Sequence, residues 1–240
     1  MSTFVLVHGS WHGAWCWHKL IPVLERAGHR AVALDLPGHG RDWTDPGAVT
    51  MQSYVDAVCA VIDAQSEPVI LVGHSRGGIV ISQTAEHRPD RIRSLVYLAA
   101  YLIPNGEAML PTALSDADSL IGPNLMMDPE RGFHMLRQEA FKPALYADCS
   151  DEDVALANAL LTPEPNAPVG TPLNLSDANF GRVPRVYIET LQDAGVSPAL
   201  QRRMLATVPC QKIISMQTSH SPFLSAPAQL ASNLISLGPD

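Results

Sequence analysis

Three side chains far apart in the chain, Ser75, Asp193 and His220, have the types needed for nucleophilic acyl transfer. Ser75 is the centre of Gly73-His74-Ser75-Arg76-Gly77, a Gly-x-Ser-x-Gly run. A serine hydroxyl attacks a carbonyl only when a base takes its proton, and the base needs a third group to orient it. A turn tight enough to lift that hydroxyl clear of the backbone strains the serine and leaves no room for Cβ atoms beside it. The motif therefore predicts a strand, a sharp turn and a helix, with Ser75 Oγ above the sheet edge and the helix N-terminus behind it.

The base and the acid follow from chain order. In this motif's fold, acid and histidine come after the serine, on loops that leave late strands. His220 is the only histidine after His134 and lies in Gln217-Thr218-Ser219-His220-Ser221. Asp193 lies three residues past Thr190, at the end of an apolar strand-like run. Its competitors are Glu189, within that run, Asp177, within a proline-rich stretch, and Asp240. An oxyanion hole needs two backbone N–H groups aimed at one point. Arg76, just after the nucleophile, supplies one, and the His8-Gly9-Ser10-Trp11 loop supplies the other, from Ser10. The Arg76 side chain reads as a solvated or salt-bridged arginine rather than a ligand for an acidic substrate group. His74 reads as local packing, Trp15 and Trp17 as core, and Trp11 as lining for an acyl pocket.

No metal site is expected. The histidines lack the His-x-x-x-His spacing with a neighbouring glutamate. Gly38-His39-Gly40 begins like a dinucleotide fingerprint, but Trp43 stands where the third glycine belongs.

The elements that hold these residues alternate. Strands are expected at Phe4–Val7, Arg30–Leu36, Val69–Val72, Ile92–Ala100, Val183–Thr190 and Lys212–Met216. Helices are expected at Ala14–Ala27 with Gly28 as its stop, after a Thr50 cap, after the Ser75 turn as far as Pro89, from Ser197-Pro198 to Val208, and from Ser225 to Leu237. Short connections of this kind imply right-handed crossovers and a parallel, doubly wound α/β sheet of about six strands with helices on both faces. Ligands sit at the carboxyl ends of such strands. Between Leu102 and Arg182 a run of prolines breaks the regularity, with short helical patterns fitted between them. The chain thus divides into a core, 1–103 and 183–240, and an inserted helical cap, 104–182, too thin in core to stand unless it packs on the sheet.

Composition narrows the partners. With 46% hydrophobic and 17% charged residues, the 240-residue chain has ample core material for a globular fold. A net charge of −8 argues against nucleic acid and provides no polybasic membrane patch. No apolar run is long enough for a membrane span, and no basic, apolar leader opens the chain. Four scattered cysteines, Cys16, Cys59, Cys149 and Cys210, read as reduced thiols of a cytoplasmic protein.

These residues also resemble a known family. Phe4-Val5-Leu6-Val7-His8-Gly9 with His12-Gly13-Ala14-Trp15, and Gly28-His29 with Ala33-Leu34-Asp35-Leu36, are similar to the α/β-hydrolase-fold carboxylesterases. The branch is that of the plant methyl esterases (salicylate, jasmonate and polyneuridine-aldehyde types) and hydroxynitrile lyases. The run from Pro184-Arg185-Val186 to Ser219-His220-Ser221-Pro222 resembles bacterial pyrethroid-hydrolysing esterases. The resemblance covers essentially the whole chain, with little signal between Pro104 and Arg182. It implies Ser75 as nucleophile, Asp193 as acid and His220 as base, no cofactor, a small ester as substrate and a homodimer as a candidate assembly. The lyases carry a threonine after the first-strand histidine and a lysine after the catalytic one. Gly9 and Ser221 stand there instead, which favours ester hydrolysis and assigns both, with Trp11, to the substrate-binding surface. The alternatives are a hydroxynitrile lyase-like C–C lyase, a perhydrolase or haloperoxidase-like activity, and a non-catalytic small-molecule receptor on the same fold. A haloalkane dehalogenase is disfavoured, since its elbow nucleophile is an aspartate.

Overall fold

A computed structural model describes residues 1–238; Pro239 and Asp240, with the tail and the alternative acid read there, lie outside the described residues. The core begins with β1 (Thr3–Val7), α1 (Leu20–Arg26), β2 (Arg30–Ala33), α2 (Met51–Asp63), β3 (Val69–His74), α3 (Gly77–His87) and β4 (Ile92–Leu98). The proline-rich stretch then contributes α4 (Met109–Leu114), β5 (Leu125–Asp128), β6 (Phe133–Leu136), α5 (Gln138–Leu145), α6 (Asp151–Leu160), β7 (Glu164–Pro165) and α7 (Asn166–Gly170). The core resumes with β8 (Arg185–Thr190), α8 (Pro198–Thr207), β9 (Lys212–Met216), α9 (Pro222–Ser225) and α10 (Pro227–Ile235).

The main sheet has six strands in the order β2-β1-β3-β4-β8-β9, and every pairing is parallel. The order in which strands are added reverses at β1, with β2 on one side and β3 on the other, so the crevice at that switch point lies between the ends of β1 and β3. Residues alternate across the sheet. Val5, Val7 and Leu71 pack on one face with α2 and α3 residues such as Val58 and Ile79. Phe4, Leu6, Ile70 and Val72 pack on the other with Leu20 of α1 and Leu230 of α10. Buried on both faces, the strands read as the unbroken apolar runs seen in the sequence.

Several boundaries differ from the expected ones, for local reasons. The helix expected over Ala14–Ala27 is a 3-10 turn at Ala14–Trp17 followed by α1. Pro22 thereby falls in the first turn of α1, where its missing N–H costs no hydrogen bond. Gly28, at φ +83°, ends α1 in the left-handed conformation. β2 stops at Ala33, and the Leu36 N–H instead donates to His8 Nε2 at 3.1 Å. The final helix, expected from Ser225, begins instead at Pro227 as α10 and is preceded by the short α9, because Pro227 keeps Ala226 out of the helical region, at φ −140° and ψ 50°. The Thr50 cap is present as a reciprocal capping box with Ser53.

Residues 104–182 contain more than short helices: β5, β6 and β7 form an antiparallel three-stranded sheet. Their buried side chains do not make a core of their own. Met109, Val169 and Leu173 join the cluster on one face of the main sheet, and Leu136, Phe141 and Leu145 join the other.

Candidate active site

Ser75 follows β3 directly and has φ +52°, one of three non-glycine residues with positive φ among the described residues. Such a conformation costs of order 1–3 kcal/mol and persists only where the surroundings impose it. Here they do. The Ser75 N–H donates to Leu98 O at 3.2 Å, and Ser75 O accepts from Gly78 at 3.0 Å and from Tyr101 at 3.0 Å. A Cβ on Gly73 would lie 2.7 Å from Gly77 O, and one on Gly77 would lie 2.8 Å from Val7 O. Both glycines of the motif are required by close backbone approach.

The loop after β8 brings Asp193 to the loop after β9, where His220 Nδ1 lies 2.8 Å from Asp193 Oδ2. Both side chains are almost wholly buried. Asp193 is held by further donors: Thr190 Oγ1 at 2.8 Å on Oδ2, and the N–H groups of Gly195 at 2.7 Å and Val196 at 2.9 Å on Oδ1. This carboxylate therefore cannot swing away from the imidazole. Among the described residues no hydrogen bond joins Ser75 Oγ to His220, a contact that in unliganded sites often closes only around substrate. The competitors are placed elsewhere: Glu189 accepts from Ser215 Oγ at 2.6 Å, and Asp177 sits beside Gly181.

Neither the Ser10 nor the Arg76 N–H has an acceptor among the described residues, which leaves both free for an incoming oxygen. The Ser10 loop is shaped by histidines. His8 Nδ1 donates to Gly9 O at 2.9 Å, and His12 Nδ1 donates to Ser10 O at 2.7 Å while its Nε2 accepts from Tyr146 at 2.6 Å. Burial lowers both pKa values, that of His12 to about 3, so these rings are neutral. His74, also buried and held neutral chiefly by desolvation, donates from Nε2 to His220 O at 2.9 Å. It packs locally, and what it touches is the backbone of the residue read as the base.

Ser75 and Ser10 open onto a narrow cavity otherwise lined by Trp11, Tyr101, His134 and apolar residues of the insertion, among them Leu110, Ile121 and Leu125. Trp11 lines this space, whereas Gly9 and Ser221 are buried and do not. Trp17 is fully buried and Trp15 half-buried. No group of three or more potential metal ligands occurs among the described residues.

The sequence reading missed the insertion's polar residues. Arg76 is fully buried and paired with Glu164, its Nε 3.0 Å from Oε1 although not well enough aimed for a hydrogen bond. Asp116 accepts from Ser197 N at 2.8 Å and Ser197 Oγ at 2.6 Å, beside the Asp193 loop. The same loop receives Ser119 Oγ on Gly195 O at 2.7 Å. Asp148 accepts from Ser219 N at 2.9 Å and also from its hydroxyl, next to His220. No local pattern marks these residues, since their partners lie 71 to 88 positions away in sequence.

A strained serine at a strand end, a buried Asp–His pair on later loops and a parallel sheet define the α/β-hydrolase class. A family model described as the alpha/beta hydrolase family matches residues 4–233, and the chain belongs to that family. It is 33% identical to methylesterase 1 of Arabidopsis thaliana, over 95% of this chain and 92% of the relative. It is 36% identical to a chloroplastic methylesterase of the same plant, of whose length it spans 63%. In structure it resembles the Arabidopsis methylesterase MES16 (TM-score 0.84, 28% identity, 98% of each chain). A pyrethroid hydrolase from Sphingobium faniae matches with TM-score 0.88 and 28% identity, over 98% of this chain and 96% of that one.

Proposed function

We propose that the protein is a serine carboxylesterase acting on small to medium apolar esters. One observation carries the reading: Ser75, in a left-handed turn, opens onto an apolar cavity beside two unengaged backbone N–H groups. His220 takes the Ser75 proton as Oγ attacks the ester carbonyl, and Asp193 holds the imidazole and offsets its charge. The Ser10 and Arg76 N–H groups receive the oxyanion, an interaction on the order of 3 kcal/mol per donor in comparable sites. As the carbon–oxygen bond breaks, His220 protonates the departing alcohol. Water then attacks the acyl-Ser75 carbonyl, gives its proton to His220, and the acid leaves as Ser75 recovers that proton. No step needs a cofactor.

The apolar lining supports an apolar acyl or alcohol group, and relatives named methylesterase and pyrethroid hydrolase support an ester bond as the target. The proposal includes a cytoplasmic location, which four free cysteines support. No helix among the described residues is long and apolar enough to cross a membrane. We further propose no nucleic-acid or membrane partner and a homodimer as the assembly. Ser75→Ala is expected to abolish hydrolysis of p-nitrophenyl acetate and butyrate while leaving the thermal melt in place. A variant that keeps a tenth or more of the wild-type kcat/KM overturns the reading.

A further inference from the structure

Among the buried charges that the steps above leave unused is a carboxylate of residues 104–182. Glu164 opens β7, between Pro163 and Pro165, and is fully buried. Its Oε2 accepts the Trp11 N–H at 3.1 Å, His39 Nε2–H at 3.0 Å and Arg76 Nη2–H at 3.4 Å. Its Oε1 faces Arg76 Nε and accepts from the Tyr54 hydroxyl at 3.4 Å. Burial pushes this carboxyl up, but the Arg76 charge, then His39 and its hydrogen bond, outweigh burial and hold it well below the usual range. Arg76 Nη2 also donates to Gly9 O at 3.1 Å, and the guanidinium lies 4.6 Å over the Tyr54 ring.

A buried ion pair is weak support for stability as such, because apolar residues of the same volume serve as well or better. The identity of the partners is more telling. Trp11 and Gly9 flank Ser10 in the chain, and Trp11 is held at φ +64°. Arg76 is itself the second N–H donor. One carboxylate thus grips both sides of the space where the carbonyl oxygen of an ester would sit. We infer that Glu164 is a positioning residue for ester hydrolysis, whose carboxylate fixes the Ser10 and Arg76 N–H groups at the spacing an oxyanion requires. The inference rests on the esterase reading. Small displacements of such donors act mainly on the transition state, where the charge develops, and little on ground-state binding.

Glu164→Gln keeps the shape and an acceptor for Trp11 but removes the ion pair. Activity is measured on p-nitrophenyl butyrate, per site titrated to completion with a fluorophosphonate, together with inhibition by phenylboronic acid, which forms a tetrahedral anionic adduct on serine. The expected result is a ten- to hundredfold fall in kcat with KM within threefold, and boronate inhibition weakened by a similar factor. Tyr54→Phe, which removes a bond to the same carboxylate without touching Trp11 or Ser10, is expected to stay within threefold of wild type. If Glu164→Gln does not fold, the charge-free pair Arg76→Met with Glu164→Met is measured in the same way. A kcat per titrated site within threefold of wild type, or unchanged boronate inhibition, overturns the inference. A wild-type chain without Ser75-dependent hydrolysis instead removes the esterase reading beneath it.

Discussion

A Cβ placed on Gly9 would lie 2.8 Å from Ser75 Cβ and 2.9 Å from His74 Nδ1. Both neighbours are held by backbone contacts, so neither can give way easily. Gly9→Ala is expected to cost about 1–3 kcal/mol in a urea melt, the usual range for overpacking. It is also expected to lower kcat at least tenfold, because the displaced atom carries the nucleophile. Wild-type kcat in the variant would show that the loop relaxes freely. Resemblance assigns Gly9 to substrate binding, whereas the structure puts it behind Ser75, where it clears space. The same spacing is too tight for the threonine found there in hydroxynitrile lyases without a backbone shift. The elbow, Asp193 and His220 were legible because the motif is local and the other two stand at strand ends in a set order. Glu164 was not, because its contact with Trp11 spans 153 residues and leaves no trace in either neighbourhood.

Among the elements, α8 shows how a cap can serve two purposes. Ser197 Oγ accepts the Leu200 N–H at 3.1 Å and donates to Asp116 of the insertion at 2.6 Å. Ser197→Ala removes a helix cap, costing about 1 kcal/mol, and leaves a buried carboxylate short of a partner, adding about 1–3 kcal/mol. A loss of 2–4 kcal/mol by urea melt is therefore expected; a loss under 0.5 kcal/mol would mean that water replaces the hydroxyl. The cap itself was readable from Ser197-Pro198, since capping is a short-range signal. The central strands β1, β3 and β4 were readable too, because burial on both faces makes continuous apolar runs. β5, β6 and β7 were not: at four, four and two residues they are too short to display alternation, and Met126 and Met127 on β5 are exposed. Prolines explain two of the helix boundaries: Pro227 begins α10 and Pro22 lies in the first turn of α1, where apolar periodicity alone would carry each helix through.

For the molecule as a whole, the buried neutral histidines set a pH limit. His8, His12 and His74 have pKa values lowered by burial, so each binds a proton in the unfolded chain at a pH where the folded chain refuses it. Their stabilising contribution is complete above about pH 6.5 and is lost as the pH falls from there towards their folded values. All three act in the same direction, so their effects on stability add as the pH falls below 6.5. Glu164 acts in the same direction but only below its ordinary range near pH 4.5. Urea midpoints are therefore expected to fall steeply between pH 6.5 and 5, and a flat profile there would contradict the neutral assignment. Three of the insertion's attachments, at Ser197 through Asp116, at Ser219 through Asp148 and at Trp11 through Glu164, bear on the order in which the chain assembles. Each closes a loop of 71 to 153 residues, a closure that is least costly once the main sheet already holds the core end of each contact. The sheet is therefore expected to form before the insertion is seated, and the Ser75 site to be completed only after it. Activity on refolding then reports the last step of assembly rather than the first, and a chain arrested one step short would carry a native sheet and an idle serine.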